Sequence, residues 1–174
     1  MSNIALNVEF FGDELLFGEI DPQPQIAPGR TVSIYSDGAC LRNPGPGGWA
    51  AIIVDGTERI QLSGGEVMTT NNRMELQSAI EALRFLPEAC SIEFFTDSRY
   101  LKDGITKWVP KWMRRGWHTK GKTPVKNRDL WEQIHIQTQR HRINWNWVKG
   151  HSGNSGNEAC DQLAKEEAIK QSRS

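Results

Sequence analysis

The order of apolar runs and chain breakers along residues 31–170 constrains the fold more than any other feature. Val32 to Asp37, Gly48 to Val54 and Glu58 to Gly65 are short runs of strand character, divided by the turn-forming segments NPGP and DGT. They read as an antiparallel meander. The period then changes. Leu76, Ile80 and Leu83 recur at helical spacing behind Thr70 or Asn71, either of which suits a helix cap, and Pro87 closes the segment. Ser91 to Thr96 is a compact apolar strand, and Gly104, Pro110, Gly116 and Gly121 break the stretch after it into short helices and a loop. Asn127 to Arg140 reads as a helix, Ile143 to Val148 alternates as a strand, and Asn154 to Lys170 reads as a last helix. Strands first, then strands alternating with helices, predict an α/β domain: a mixed five-stranded sheet with helices on both faces.

The 174 residues fit one such domain. Residues 1–20 stand apart as an N-terminal extension: Ile4, Leu6, Val8 and Phe10 alternate with less apolar residues, and Gly12-Asp13 sits between two apolar runs as in a two-residue hairpin turn. Residues 21–30 hold three prolines and a glycine and read as a linker, residues 31–170 as the domain, and residues 171–174 as a tail. Three cysteines without a CxxC pair fit neither a disulfide framework nor a zinc ribbon, so each is expected to be a small buried residue in a reducing compartment. No run is long enough to span a bilayer, and no basic start precedes an apolar stretch. The expectation is a cytoplasmic monomer.

Four acidic residues occupy four unlike segments: Asp37 in YSDGAC, Glu75 in NNRMEL, Asp97 in FFTDSRY and Asp161 in NEACDQLA. Scattered carboxylates that a fold gathers, with few basic neighbours, suit hard divalent cations, because Mg²⁺ takes oxygen ligands and keeps several waters. Two such ions clamp the attacking and leaving oxygens of a phosphodiester. Each residue also has a plainer reading. Asp37-Gly38 is an ordinary strand-to-turn dipeptide, Asp97 suits the cap of a helix beginning at Ser98, and Glu75 and Asp161 suit the positive ends of their helices. Charge is uneven as well. The formal net charge is zero, yet residues 99–128 carry ten of the 21 basic residues against one acid, Asp103, while the first 21 residues carry five acids and no base. NPGPGG lacks the Gly-Lys-Ser/Thr of a phosphate-binding loop and joins two strands.

At this point the chain resembles the type 1 ribonucleases H, and the bacterial enzymes closely. YSDGACLRNPGPGGWA, TTNNRMELQSAIEAL, FFTDSRYLKDGITKW, KWMRRGW, PVKNRDLW, WNWVKGHSG and NEACDQLA stand in the family's order, and the resemblance covers roughly residues 30–169. It implies a ribonuclease H-like fold and hydrolysis of the RNA strand of RNA/DNA hybrids by two Mg²⁺ ions, or Mn²⁺, leaving 5′-phosphate and 3′-hydroxyl ends. It implies that Asp37, Glu75, Asp97 and Asp161 bind the metals and that His151 is the mobile histidine near the scissile phosphate. A histidine that titrates near neutral pH suits proton transfer beside such a site, although His151 between Gly150 and Gly153 also fits an idle loop residue. His118, His135 and His141 read as surface or helix residues.

By the same resemblance, Cys40, Asn43, Asn71 and Asn72 contact sugar, phosphate and base edges in the hybrid's minor groove, where amides meet 2′-hydroxyls. Thr70 with Asn43 grips a DNA-strand phosphate. Arg99 stands where the bacterial pattern has Gln, a longer and charged donor at a groove-reading position. Trp108, Trp112 and Trp117 interleave with Lys107, Lys111, Arg114 and Arg115. Tryptophans at i, i+4 suit a core, whereas the charge density suits a projecting basic element, and the resemblance implies the basic protrusion that holds the DNA strand through its phosphates. Two rival classes make different demands. A hybrid-binding module without catalysis would lack a carboxylate, and none is missing; a DNA nuclease or strand-transfer enzyme of the same fold would not need these asparagines together with the tryptophan-rich basic stretch.

Overall fold

Turns cut the first part of the chain into strands, and capping side chains start its helices. The computed structural model describes residues 4–7, 30–150 and 153–174. Strand β1 (Ile4–Asn7) precedes the meander of β2 (Thr31–Cys40), β3 (Gly45–Asp55) and β4 (Glu58–Thr69). Helix α1 (Asn71–Phe85) leads into β5 (Ser91–Thr96), and α2 (Arg99–Asp103) passes through a π-helical turn at Gly104–Trp108 into α3 (Val109–Arg114). Then come α4 (Arg128–Arg140), β6 (Arg142–Trp147) and α5 (Ser155–Ser172). Thr70, not Asn71, caps α1, its Oγ1 accepting from the Arg73 N–H. Ser98 and Asn154 cap α2 and α5 in the same way.

The sheet order is β1-β4-β3-β2-β5-β6, parallel where β2 meets β5 and β5 meets β6 and antiparallel elsewhere. The expected mixed sheet of five strands is therefore present, and the N-terminal segment adds a sixth. β1 pairs with β4 from Ile4 opposite Gly64 to Asn7 opposite Gln61, which covers part of an edge that would otherwise present unpaired backbone groups. The second strand of the expected hairpin and most of the linker lie outside the described residues. α5 runs to Ser172, past the expected end at Lys170.

Strand alternation sends Ile34, Ala51, Ile53 and Phe94 to one face, where α1 and α4 supply Leu76, Ile80, Leu83, Trp131 and Ile134. On the other face Ala50 and Ile52 meet Cys160 and Ala164 of α5. Gly104 shows how closely the helices approach: a Cβ there would overlap the Trp131 ring. Tyr100 Oη accepts from Trp131 Nε1 and Asn127 Nδ2, both at 3.1 Å, so the buried indole has a partner.

His141 is a correction to the surface-or-helix expectation. It follows α4 and is buried, its Nδ1 accepting from the Cys90 N–H at 3.1 Å and its Nε2 facing the Leu83 carbonyl at 3.2 Å. Burial, reinforced by Arg140, pushes its pKa down to about 4. Both nitrogens are engaged in holding the ends of α1 and β5 together, which leaves this histidine no chemical task.

The ladder of β1 generates a stability prediction. Deleting residues 1–29 should leave a folded domain and lower stability by about 1–3 kcal/mol, the net worth of a few ladder hydrogen bonds. A thermal melt checks this, and a protein of this size should lose several degrees.

Candidate metal centre and substrate face

Gly38 places the centre. Its Cβ, were there one, would strike the backbone N of Glu75 and lie 2.6 Å from the Met74 carbonyl carbon. The missing side chain lets α1 rest directly on β2, so Glu75 comes alongside Asp37. Asp37 Oδ1 also accepts from the Gly38 N–H at 2.8 Å. Asp97 follows β5, the parallel neighbour of β2, and completes the group: one carboxylate oxygen from each of Asp37, Glu75 and Asp97 lies within 4.8 Å of the others. This is the carboxyl end of the parallel strands, where α/β sheets place their sites.

The simpler readings of these residues fall away. Glu75 is the fifth residue of α1, with no acid in the first turn, so the helix dipole does not account for it. Asp97 does not cap α2, since Ser98 does. Asp161 lies in the second turn of α5 and stands outside the three-carboxylate group. Its Oδ2 is 2.7 Å from Lys165 Nζ, yet its charge still reaches Asp37. Asp161 thus stands at the margin of the centre, with an exposed lysine as its partner.

Burial dominates the electrostatics. Asp37 and Glu75 are each 5% exposed. Loss of hydration pushes the Asp37 carboxyl up to about 7; the bonds from Glu75 and the Gly38 N–H oppose the rise, and the Asp97 and Asp161 charges add to it. Glu75 is raised well above the usual carboxylate range by burial and by Asp37. Glu75 Oε2 is moreover buried without a hydrogen-bond partner among the described residues. An orphaned buried oxygen beside two further carboxylates fits a hard cation, which would supply the missing partner and lower all of these values.

The expected substrate residues flank this centre. Cys40 ends β2, three residues beyond Asp37, with its Sγ 3.6 Å from the Thr69 carbonyl. Asn43 Oδ1 accepts from the Asn71 N–H at 3.2 Å, which gathers Asn43, Thr70 and Asn71 at the start of α1, with Asn72 exposed beside them. On the other side Arg99 lies over the Trp147 ring, its guanidinium carbon 5.2 Å from the centroid. Lys111, Arg114 and Arg115 are exposed on and just after α3. Trp108, Trp112 and Trp117 are half-buried against the main core, Trp108 tilted against Tyr100, Trp112 edge-on to Trp131 and Trp117 edge-on to His135. The packing role weighed for these tryptophans is therefore present. They tie the basic segment to the core, leaving their cationic neighbours outside. His151 lies outside the described residues, although Gly150 before it touches the centre: a Cβ there would stand 3.0 Å from Asp97 Oδ2.

Two contributors had no role in the sequence reading. Gly38 was visible only as the second half of a strand-to-turn dipeptide, and nothing local distinguishes a turn glycine from one against which a helix packs. Trp147 sat within the WNWVKGHSG block without a task of its own. Its Nε1 donates to the Asp97 carbonyl at 3.0 Å.

A raised carboxyl value means that the folded, metal-free protein holds a proton that the unfolded chain releases. The associated stability is present below the ordinary carboxylate range near 4 and is lost as pH rises through about 7. In EDTA, Asp37→Asn should therefore become more stable than the parent as pH rises over that window, by roughly 1–3 kcal/mol at neutral pH. Added Mg²⁺ should stabilise the parent and not the variant. Melting curves at pH 4 to 8 with and without Mg²⁺ decide the matter.

Comparison with known proteins agrees with this geometry. The family model described as RNase H matches residues 29–169. A ribonuclease H of Chromohalobacter salexigens is 58% identical over 133 residues, spanning 76% of this chain and 81% of the relative. One of Xanthomonas axonopodis pv. citri is 54% identical over 142 residues, 82% of this chain and 95% of the relative. Among solved structures, LC9-RNase H1, described as a type 1 RNase H with the type 2 active-site motif, superposes with a TM-score of 0.76 at 35% identity, covering 84% of this chain and 76% of that one.

Proposed function

The chain belongs to the ribonuclease H family, and we propose that it cleaves the RNA strand of RNA/DNA hybrids at the carboxylate centre, using two Mg²⁺ ions and leaving 5′-phosphate and 3′-hydroxyl ends. Membership makes it a nuclease that depends on divalent metal. The observation that carries the finer reading is the cluster of Asp37, Glu75 and Asp97 around a buried Glu75 oxygen without a partner. These three carboxylates, with Asp161 at the margin, would hold the ions. When bound, the ions supply Lewis-acid stabilisation of phosphorane charge and an activated water for in-line displacement. Mn²⁺ has the same preference for oxygen ligands and would substitute.

The remaining work falls to the chain's own residues. Asp37 and Glu75 are fixed by the α1–β2 contact and Asp97 by the end of β5, so the ligand oxygens are preorganised. Asn43, Asn71 and Asn72 supply amides that donate to and accept from 2′-hydroxyls and base edges, with Cys40 lining the same end and Thr70 and Asn43 meeting a DNA-strand phosphate. A requirement for the 2′-hydroxyl directs cleavage to RNA. Arg99, Lys111, Arg114 and Arg115 attract phosphates without reading sequence. Trp108, Trp112 and Trp117 hold the basic segment at the distance the second strand requires. His151 moves a proton near the scissile phosphate or helps product leave, in keeping with imidazole titration near neutral pH. Among the described residues no helix is long and apolar enough to cross a membrane. A monomer in the cytoplasm, with its cysteines as thiols, completes the proposal.

The test is cleavage of a labelled RNA/DNA hybrid beside matched duplex RNA and duplex DNA. Only the hybrid should be cut, only with Mg²⁺ or Mn²⁺, and Asp37→Asn should lose the activity. Cutting of duplex DNA, or a near-parental rate in Asp37→Asn, refutes the proposal. Replacing Lys111, Arg114 and Arg115 by Ala should raise KM with little change in kcat. It should also flatten the log–log salt dependence of binding by roughly 0.9 per lost phosphate contact on a B-DNA-like duplex. An unchanged slope would mean that this patch faces away from the substrate.

A further inference from the structure

Trp147 joins two parts of the site that are otherwise separate. It ends β6, is 41% exposed, and uses both aspects of its indole. The edge is anchored, Nε1 donating to the Asp97 carbonyl at 3.0 Å. The face carries the Arg99 guanidinium at 5.2 Å, within cation–π range. The chain around Asp97 is clamped from other directions too. The Ser98 N–H donates to Thr96 Oγ1 at 3.0 Å, and the Val148 N–H donates to the Thr96 carbonyl at 2.9 Å. The Asp97 carbonyl itself is reached by the indole. An exposed aromatic at a strand end would ordinarily turn freely; here the hydrogen bond fixes its plane, and the fixed plane orients the guanidinium above it.

Arg99, two residues after Asp97, is exposed and makes no ion pair among the described residues. A guanidinium resting over an aromatic ring keeps its N–H donors free, and a guanidinium can meet a phosphate with two parallel hydrogen bonds. Resting on the reading of the centre as a metal site that acts on hybrids, we infer that Trp147 is a positioning residue with two functions: its N–H fixes the metal-binding carboxylate Asp97, and its ring holds Arg99 as a phosphate clamp at the rim.

The two functions separate by substitution. Trp147→Phe keeps a ring beneath Arg99 and removes the N–H. It should raise about 10-fold the Mg²⁺ concentration at the midpoint of the metal-induced thermal shift, as outer-shell changes do, while leaving KM for the hybrid unchanged. Arg99→Gln should do the reverse, raising KM and lowering by about 1 the salt slope of binding to a labelled hybrid in EDTA, with the Mg²⁺ midpoint unmoved. Trp147→Leu should show both defects. A parental Mg²⁺ midpoint in Trp147→Phe, or a parental salt slope in Arg99→Gln, overturns the inference. Failure of the unaltered protein to cleave the hybrid would instead overturn the functional reading, and the metal-induced thermal shift would still report on the anchoring of Asp97. Melting temperatures of all three variants separate these effects from loss of fold.

Discussion

The contact between α1 and β2 at Gly38 is the constraint on which the rest depends. A helix packed on a sheet normally stands off by the length of the side chains between them, about 10 Å between axes. At Gly38 there is no side chain to hold it away, and the backbone of Met74 and Glu75 comes down onto the strand. That closeness, and not any property of Glu75, makes a surface-type residue of α1 a buried neighbour of Asp37. Nearby on the same helix, Asn71 is drawn to Asn43, so the helix that carries Glu75 also assembles the end proposed to face substrate.

The centre is unfavourable for the isolated chain, and this accounts for its surroundings. Two buried carboxyl groups with a third beside them repel and lose hydration, and among the described residues no lysine or arginine forms an ion pair with Asp37 or Glu75. Such a group persists because the scaffold holds it. Leu76, Ile80 and Leu83 seat α1 on the sheet, and the parallel pairing of β2 with β5 fixes where Asp97 emerges. Glu75 Oε2 is left without a hydrogen-bond partner among the described residues, which is the property a divalent-cation site needs. Lys165 pairs directly with Asp161, outside the group formed by Asp37, Glu75 and Asp97.

A second division runs through the basic segment. Its tryptophans pack inward, Trp108 and Trp112 against Tyr100 and Trp131 and Trp117 against His135, and Lys111, Arg114 and Arg115 are exposed. Composition shows the two kinds of residue interleaved. Only the packing of α3 against α4 sorts them, because a short helix has one face toward its neighbour and one toward solvent. Arg99 and Trp147 repeat the arrangement across a longer sequence gap, with the aromatic again serving as support for the charge.

By itself the sequence determined the strand and helix order, the mixed sheet, a cap for α1 at Thr70 or Asn71, and which acids to suspect. These depend on local periodicity and turn chemistry, which act over a few residues. Tertiary structure alone decided that Glu75 belongs to the second turn of α1 and is buried, that Asp161 stands at the margin with Lys165, and that His141 is an inward-facing structural residue. It alone brought Trp147 under Arg99 and against Asp97, and β1 to the edge of β4. Each of these joins residues far apart in the chain, and the energies concerned, desolvation and close contact, exist only once the fold has excluded water between them. No window of sequence contains them.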